Sequence, residues 1–282
     1  MNQDMSSFRQ RMMSVAYRML GSVVDAEDAV QDAFLRYQTA SKVHAPEGFL
    51  IRTTTRLCLD RLRQRRRQSY IGPWVPEPVE TRIAGQEAVL AESLSQAFLL
   101  LLERLTPNER AAFLLRIVFD YEYSEVADIL GKSEPAIRQL VSRARERIGL
   151  ADGRRVAVPL SQADLLAERF LDACRNGDLQ TIESLMSETV EVHSDGGGKV
   201  TAARVVIQGR KRSAKFLCGV FRKLSRYCEL RTTRVNGNPG VVFLSNGQVR
   251  DVLSINGHET IETVCITVNP DKLLRWSAIE VE

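Results

Sequence analysis

The stretch YSEVADILGKSEPAIRQLVSRAR, from Tyr123 to Arg145, decides how this chain is read. Apolar Val126, Leu130, Ile137 and Leu140 recur at helical spacing on both sides of Gly131. Small Ala127 stands where two helices would touch, and the span fits a helix-turn-helix of about twenty residues. Ser133 is placed to cap the second helix and Pro135 suits its first turn. That leaves Glu134, Arg138, Gln139, Ser142, Arg143 and Arg145 on or near the outer face. Such a helix fits a DNA major groove, where arginine pairs with guanine and glutamine with adenine. The competing reading is a helical hairpin with a solvated basic face. The turn glycine, the small residue four positions before it and the exposed Arg and Gln together favour DNA.

Upstream, Thr106, Pro107 and Glu109 supply a cap, a first-turn proline and an acid at the third helical position, and helical spacing runs from Ile83 to Leu105. The beginning also reads as all helical. Phe8, Met12, Val15, Ala16, Met19 and Leu20 form one stripe, which Gly21 ends. Asp25 is expected to cap a second helix with Ala29, Val30, Ala33, Phe34 and Tyr37 as its apolar side. After a loop from Thr39 to Gly48 a third helix runs from Phe49 towards Arg67. Seven arginines between Arg52 and Arg67 give this opening segment the basic excess of a chain whose net charge is only +4. One face of them could follow a phosphate backbone; a solvated helix end is the alternative.

Between these helical parts, Gly72, Pro73, Pro76 and Pro78 forbid a continuous helix. Tyr70, Ile71, Trp74 and Val75 interrupt the linker composition. The expectation is therefore a strip docked on another surface, with an ordinary linker as the alternative. Past Arg155 the pattern changes to helices at 162–175, 179–186 and 209–224 and to β-branched runs at 189–193, 229–235, 240–244, 248–255, 260–268 and 273–281. Turns are expected at Asn236-Gly237-Asn238-Pro239, Asn246-Gly247 and Asn256-Gly257. Helices beside a curved antiparallel sheet would make an α+β cone with an interior pocket.

At 282 residues with 44% hydrophobic and 26% charged residues, the chain falls outside the disordered, collagenous and membrane-spanning classes. The longest apolar run, Ser93 to Leu102, is about half of a bilayer crossing, and the polar beginning lacks a signal layout, so a cytoplasmic protein is expected. Cys58, Cys174, Cys218, Cys228 and Cys265 form no CxxC pair, and three histidines make no zinc pattern. Reduced thiols are the expectation, a Cys218–Cys228 redox switch the alternative. No metal or cofactor is expected.

The run DAEDAVQDAFLR, Asp25 to Arg36, resembles the core-binding helix of extracytoplasmic-function sigma factors, and the stretch from Tyr123 to Ile148 resembles their promoter-reading fourth domain. The second half, with RNGD at 175–178 and SDGGGK at 194–199, is similar to the SnoaL-like relatives of nuclear transport factor two. YIGPWVPEP at 70–78 and NPDKL at 269–273 complete a likeness to the sigma-factor group with a fused SnoaL-like extension. The resemblance implies a multidomain chain: a sigma region 2 domain over 1–69, a Pro/Trp linker over 70–90, a region 4 domain over 91–150 and a SnoaL-like domain over 159–282. It implies a transcription initiation factor, not a catalyst, whose partners are bacterial core RNA polymerase and promoter DNA. Glu27, Asp28, Gln31, Asp32, Phe34 and Arg36 match the polymerase-binding face. His44, Arg52, Arg56 and Arg63 fall where the family contacts the melted minus-ten element. Thr53, Thr54, Thr55 and Arg56 depart from the aliphatic residues and Asn that relatives often carry there. Ser133, Glu134, Arg138, Gln139, Ser142 and Arg143 would meet the minus-thirty-five element.

His193 and Asp195 are the candidates for acid-base chemistry in the cone, although the adjoining triple glycine suits close backbone approach better. The favoured expectation is intramolecular control. In that reading Trp74 and Pro76 dock against Asp195, Gly196, Gly197, Gly198, Lys199, Asn269, Pro270 and Asp271. A small effector bound in the cone is a further alternative.

Overall fold

The computed structural model describes residues 2–41, 43–65, 70–81, 95–149, 160–257 and 259–278. They form two compact units, residues 1–69 with 99–154 and residues 70–98 with 155–282. Expectations for Ile83 to Leu94 and for Arg66 and Arg67 lie outside the described residues.

In the first unit α1 (Asn2–Leu20), α2 (Val23–Thr39) and α3 (Pro46–Arg65) pack as a bundle on Met12, Val15, Met19, Ala26, Val30, Leu50, Ile51 and Leu62, all at most 6% exposed. Gly21 ends α1 in the left-handed region, with φ 64°. The cap of α2 is Ser22, whose hydroxyl accepts from the Asp25 amide at 3.3 Å, and not Asp25 itself. The carboxylate of Asp25 is left in the first turn, where it suits the helix dipole.

After α4 (Gln96–Glu103), α5 (Pro107–Phe113) opens on the anticipated capping box of Thr106 and Glu109 and runs into a π-helical turn, Leu114–Val118. Then α6 (Tyr123–Leu130) and α7 (Glu134–Arg147) meet at Gly131, which has φ 63° and ends α6. Val126, Ala127, Ile137, Val141 and Ala144 are buried. Leu130 and Leu140 are half-buried.

The second unit stacks α8 (Leu160–Asn176), α9 (Leu179–Leu185) and α10 (Arg210–Leu224) on a six-stranded sheet. Its strands are β1 (Met186–Asp195), β2 (Ile207–Gln208), β3 (Glu229–Val235), β4 (Asn238–Ser245), β5 (Gln248–Gly257) and β6 (Ile261–Thr267), in the spatial order β2-β1-β6-β5-β4-β3. The sheet is mixed, not wholly antiparallel as expected, because β1 pairs β6 in parallel. Local turn chemistry specifies hairpins but carries no information on this pairing of distant strands. Asn236-Gly237 and Asn246-Gly247 do make the anticipated hairpins, all four residues having positive φ. Asn256-Gly257 is instead the irregular end of β5.

The two-residue alternation sets the faces. Val190, Val192, Val241, Phe243, Leu253 and Ile255 point to the helices, where Phe170, Phe221 and Phe243 pack edge to face. Val235, Val242, Leu244 and Val252 point the other way, onto Leu273 and Trp276. The expected last strand, Leu273 to Val281, is absent over its described part. Residues Pro270–Lys272 and Leu274–Ala278 are short 3-10 turns. Asn269 caps the first of them, Pro270 fixes its backbone, and the turns seat Leu273 and Trp276 on the outer face of the sheet.

Candidate DNA-reading faces and linker dock

On α2, Asp28, Gln31 and Arg36 are exposed and Glu27, Asp32 and Phe34 half-buried. Arg61 of α3 reaches across to this acidic row, 3.5 Å from Asp32 and 3.8 Å from Asp28, and also donates to the Asp25 carbonyl. Arg65 donates to the carbonyl of Leu20 at 2.9 Å. These two members of the arginine cluster therefore tie the bundle together, which narrows the cationic face expected from charge alone. Arg52, Arg56 and Arg63 are exposed on α3, and His44 is exposed just before it. Asp60 shares that stripe and pairs with Arg63 at 3.0 Å. Thr54 and Thr55 are fully buried, so their departure from the family pattern lies inside the bundle.

On the helix-turn-helix, Ser133, Glu134, Arg138, Gln139, Ser142 and Arg143 are all exposed. Ser133 has N-cap backbone geometry without a side-chain cap bond. Arg138 lies over the Tyr123 ring at 4.0 Å and pairs with Glu134 at 3.6 Å. The far end of α7 is fixed by Arg147, which reaches the buried carboxylate of Glu109 at 2.8 Å.

Within this unit the helix-turn-helix part sits on the opening bundle. Arg110, 3% exposed, donates to the Met19 carbonyl at 2.7 Å and pairs with Glu103 at 2.7 Å. Arg18, 2% exposed, donates to the Ser14 carbonyl at 3.1 Å and faces the Phe119 ring at 5.3 Å. Burial pulls its guanidinium down to about 10, still charged at neutral pH. Arg11 lies 5.0 Å from the Tyr121 ring and pairs with Glu47. Arg56 stands beside Gly131, at the turn between α6 and α7. Sequence periodicity did not single out Arg18 or Arg110, since arginines are normally surface residues.

In the second unit the strip from Tyr70 converges on Asp195, which is fully buried. One carboxylate oxygen accepts from the Tyr70 hydroxyl at 2.6 Å and the Gly197 amide at 2.9 Å. The other accepts from the Val75 amide at 2.9 Å and pairs with Lys272 at 2.6 Å. Its own carbonyl accepts from the amides of Val268 and Asn269. Lys272 also stacks over Trp74 at 4.4 Å, and Asn269 donates to the Tyr70 hydroxyl at 3.2 Å. Lys199 pairs with Asp271 at the exposed rim, and Pro270 opens the turn that presents Lys272.

The glycines are required by contact. A Cβ on Gly196 would overlap Val200, one on Gly197 would overlap the Asn269 side chain, and one on Gly198 would stand 2.9 Å from Ile71. Beyond Trp74, the Pro76 carbonyl accepts from Gln96 and the Pro78 carbonyl from the Trp276 indole at 2.8 Å. Val79 and Thr81 then bond to Asn236 and Arg234 beside β3, covering part of an edge strand. Tyr70 belongs to the strip expected to dock, whereas Lys272 and Trp276 are additions of the structure, although NPDKL was singled out.

Neither acid-base candidate lines the helix-covered side. Val190 and Val192 point to the helices, so Glu191, His193 and Asp195 face away from them, with His193 3.0 Å from Glu191. The buried acid on the inner side is Asp251, 5% exposed and paired across the sheet with Phe243. Burial pushes its carboxyl up to about 6, against the opposing pull of Arg250 and Lys223. Burial likewise raises the Cys58 and Cys265 thiols to about 12 and raises those of Cys174 and Cys228, which suppresses the reactive thiolate. All five cysteines are free. Among the described residues no group of three or more His, Cys, Asp or Glu is arranged to hold a metal, and no helix is long and apolar enough to cross a membrane.

Comparison with known proteins agrees with this architecture. Residues 5–68 match the family Sigma-70 region 2, and residues 95–148 match Sigma-70, region 4. The chain is 37% identical over 227 residues to the ECF RNA polymerase sigma factor SigJ of Mycobacterium tuberculosis, covering 78% of this chain and 73% of SigJ. It is 30% identical over 260 residues to the probable ECF RNA polymerase sigma factor SigI of the same species, covering 88% and 86%. The crystal structure of M. tuberculosis SigJ superposes on 99% of this chain and 100% of its own, with TM-score 0.79 and 31% identity. Two sigma regions in the expected order, within a chain that matches a sigma factor of this group along most of its length, make this chain a member of the extracytoplasmic-function RNA polymerase sigma factors, which direct core polymerase to promoters for transcription initiation.

Proposed function

We propose that the extension is a built-in, non-catalytic regulator of this sigma factor, acting through the strip at 70–81. The observation that carries this reading is the saturation of Asp195 by Tyr70, Val75, Gly197 and Lys272. A carboxylate with four donors has no free lone pair for proton transfer, but it fixes the backbone that joins the two promoter-reading regions. Region 2 over 1–69 supplies the polymerase face on α2 and the minus-ten face on α3; region 4 over 91–150 reads minus thirty-five with α7. The elements' names put them about 25 base pairs apart, about 85 Å of duplex at 3.4 Å per pair. The two regions therefore must part from the packed arrangement seen here before both elements are read, and the length of free chain between them matters.

Run-off transcription with core polymerase tests this reading, comparing the full chain with its Trp74→Ala variant. Trp74→Ala should change promoter output while leaving affinity for core polymerase unchanged; identical output would overturn the regulatory role.

A further inference from the structure

We propose that α10 of the extension is a sequence-independent binding surface for the phosphate backbone of duplex DNA. The motivation is a concentration of charge. From Gly196 to Cys228 the sequence holds nine Lys and Arg and no Asp or Glu, which is half of the basic residues from Ala151 onward and none of the acids. Seven of the nine lie between Arg210 and Arg226. Lys211, Arg212, Lys215, Arg222, Lys223 and Arg226 are exposed, whereas Arg210 turns back to Glu188 at 3.0 Å.

Three features separate this helix from an ordinary solvated one. Its first turn, Arg210, Lys211 and Arg212, puts cations at the positive end of the helix dipole, where acids are favoured and none is present. Cations placed against local stability point to a use elsewhere. Gly219 falls on the same stripe as Lys211, Lys215 and Arg222 at helical spacing, yet among the described residues nothing lies within 4 Å of where its Cβ would be. No packing among the described residues requires a glycine there. A glycine interior to a helix weakens it, and here it leaves a flat gap between two basic clusters for close approach of another backbone. Finally, the apolar side of α10 is consumed: Ala214, Leu217, Phe221 and Leu224 are at most 6% exposed in the core. The helix therefore has no free apolar face to sink into a bilayer, which leaves electrostatic contact alone.

Lys211 to Arg222 spans about 17 Å of helix, long enough to meet several phosphates of a duplex carrying one charge per ~1.7 Å. Duplex DNA is the polyanion that a sigma factor already brings close, so even weak contacts act at high effective concentration. This inference goes beyond the regulatory reading and does not need it.

The test uses the full chain and a duplex of about thirty base pairs without promoter elements, with binding followed by fluorescence anisotropy from 50 to 200 mM KCl. Lys211→Gln/Lys215→Gln/Arg222→Gln should lower the slope of log affinity against log salt by ~2.7, so that a wild-type advantage at 50 mM shrinks by ~40-fold at 200 mM. Gly219→Leu keeps every charge and should weaken binding by obstructing approach, with unchanged circular dichroism. Equal slopes and affinities for wild type and the triple variant overturn the proposal. Binding to phosphatidylglycerol vesicles that the triple variant loses, with no change on DNA, overturns it in favour of a lipid surface. Run-off activity of the wild type is scored separately, so failure of the sigma reading and failure of α10 remain distinguishable.

Discussion

Arg18 and Arg110 in the first unit and Asp195 in the second are all buried charges, but their surroundings differ. The two arginines lie where the helix-turn-helix part seats on the opening bundle, and their described partners include the backbone carbonyls of Ser14 and Met19 and the Phe119 ring. Separation would return both guanidiniums to water, so hydration offsets much of what the contact loses. Asp195 instead has four donors drawn from three segments of one unit, closed over by glycines that leave no room for a side chain. On the proposed reading the first junction opens when the promoter is read and the second holds the strip in place. Buried charges mark both, so burial alone does not distinguish a latch from a fastening. What distinguishes them is whether water can replace the partner.

The largest test of this contrast is Asp195→Ala. It removes the acceptor shared by Lys272, the Tyr70 hydroxyl and the Val75 and Gly197 amides, and should cost about 2–4 kcal/mol in urea unfolding of the second unit while freeing the strip to proteolysis. A loss no greater than that of a surface pair would erase the contrast.

Asp251→Asn probes a buried acid with no such set of donors, and it should move stability in the opposite direction. The Asp251 carboxyl is held up to about 6, above its ordinary 3.8, so its protonated form favours the fold. That contribution is complete below about pH 4 and is lost as pH rises through 6. At pH 7.5 the Asn variant should be on the order of 2 kcal/mol more stable than the parent, and the two should converge under acid. Thermal melts at pH 4.5 and 7.5 check the sign.

The smallest effect is expected from Arg11→Ala, which removes an exposed ion pair with Glu47 and the stacking on Tyr121. A cost of about 0.5 kcal/mol, together with a larger open fraction in fluorescence transfer between labels on α1 and α7, would sharpen the view of the first junction as a latch.

Much of the molecule was legible in the chain because it rests on short-range chemistry. Gly131 ends α6 with positive φ, Thr106 and Glu109 form their box, and Asn246-Gly247 turns its hairpin, each a consequence of neighbours within a few residues. The exposure of Arg138, Gln139 and Arg143 follows from helical period alone. Where several local signals compete, the reading slipped. Ser22 and Asp25 are both good caps, and Ser22 took the position. The alternation after Leu273 resembled a strand, but Asn269 and Pro270 started a turn that put Trp276 under the sheet.

The order of parts, the helix-turn-helix and the acidic helix are written in period, caps and turns that act over a few residues, whereas the motifs that meet at Asp195 stood out by composition and family likeness. Long-range packing set β1 parallel to β6, turned Arg61 and Arg65 to the bundle and buried Arg18 and Arg110. It also decided that Asp251, and not His193 or Asp195, is the acid on the inner side. These outcomes depend on which distant surfaces meet, and on the parity of a strand whose register is fixed by its partners.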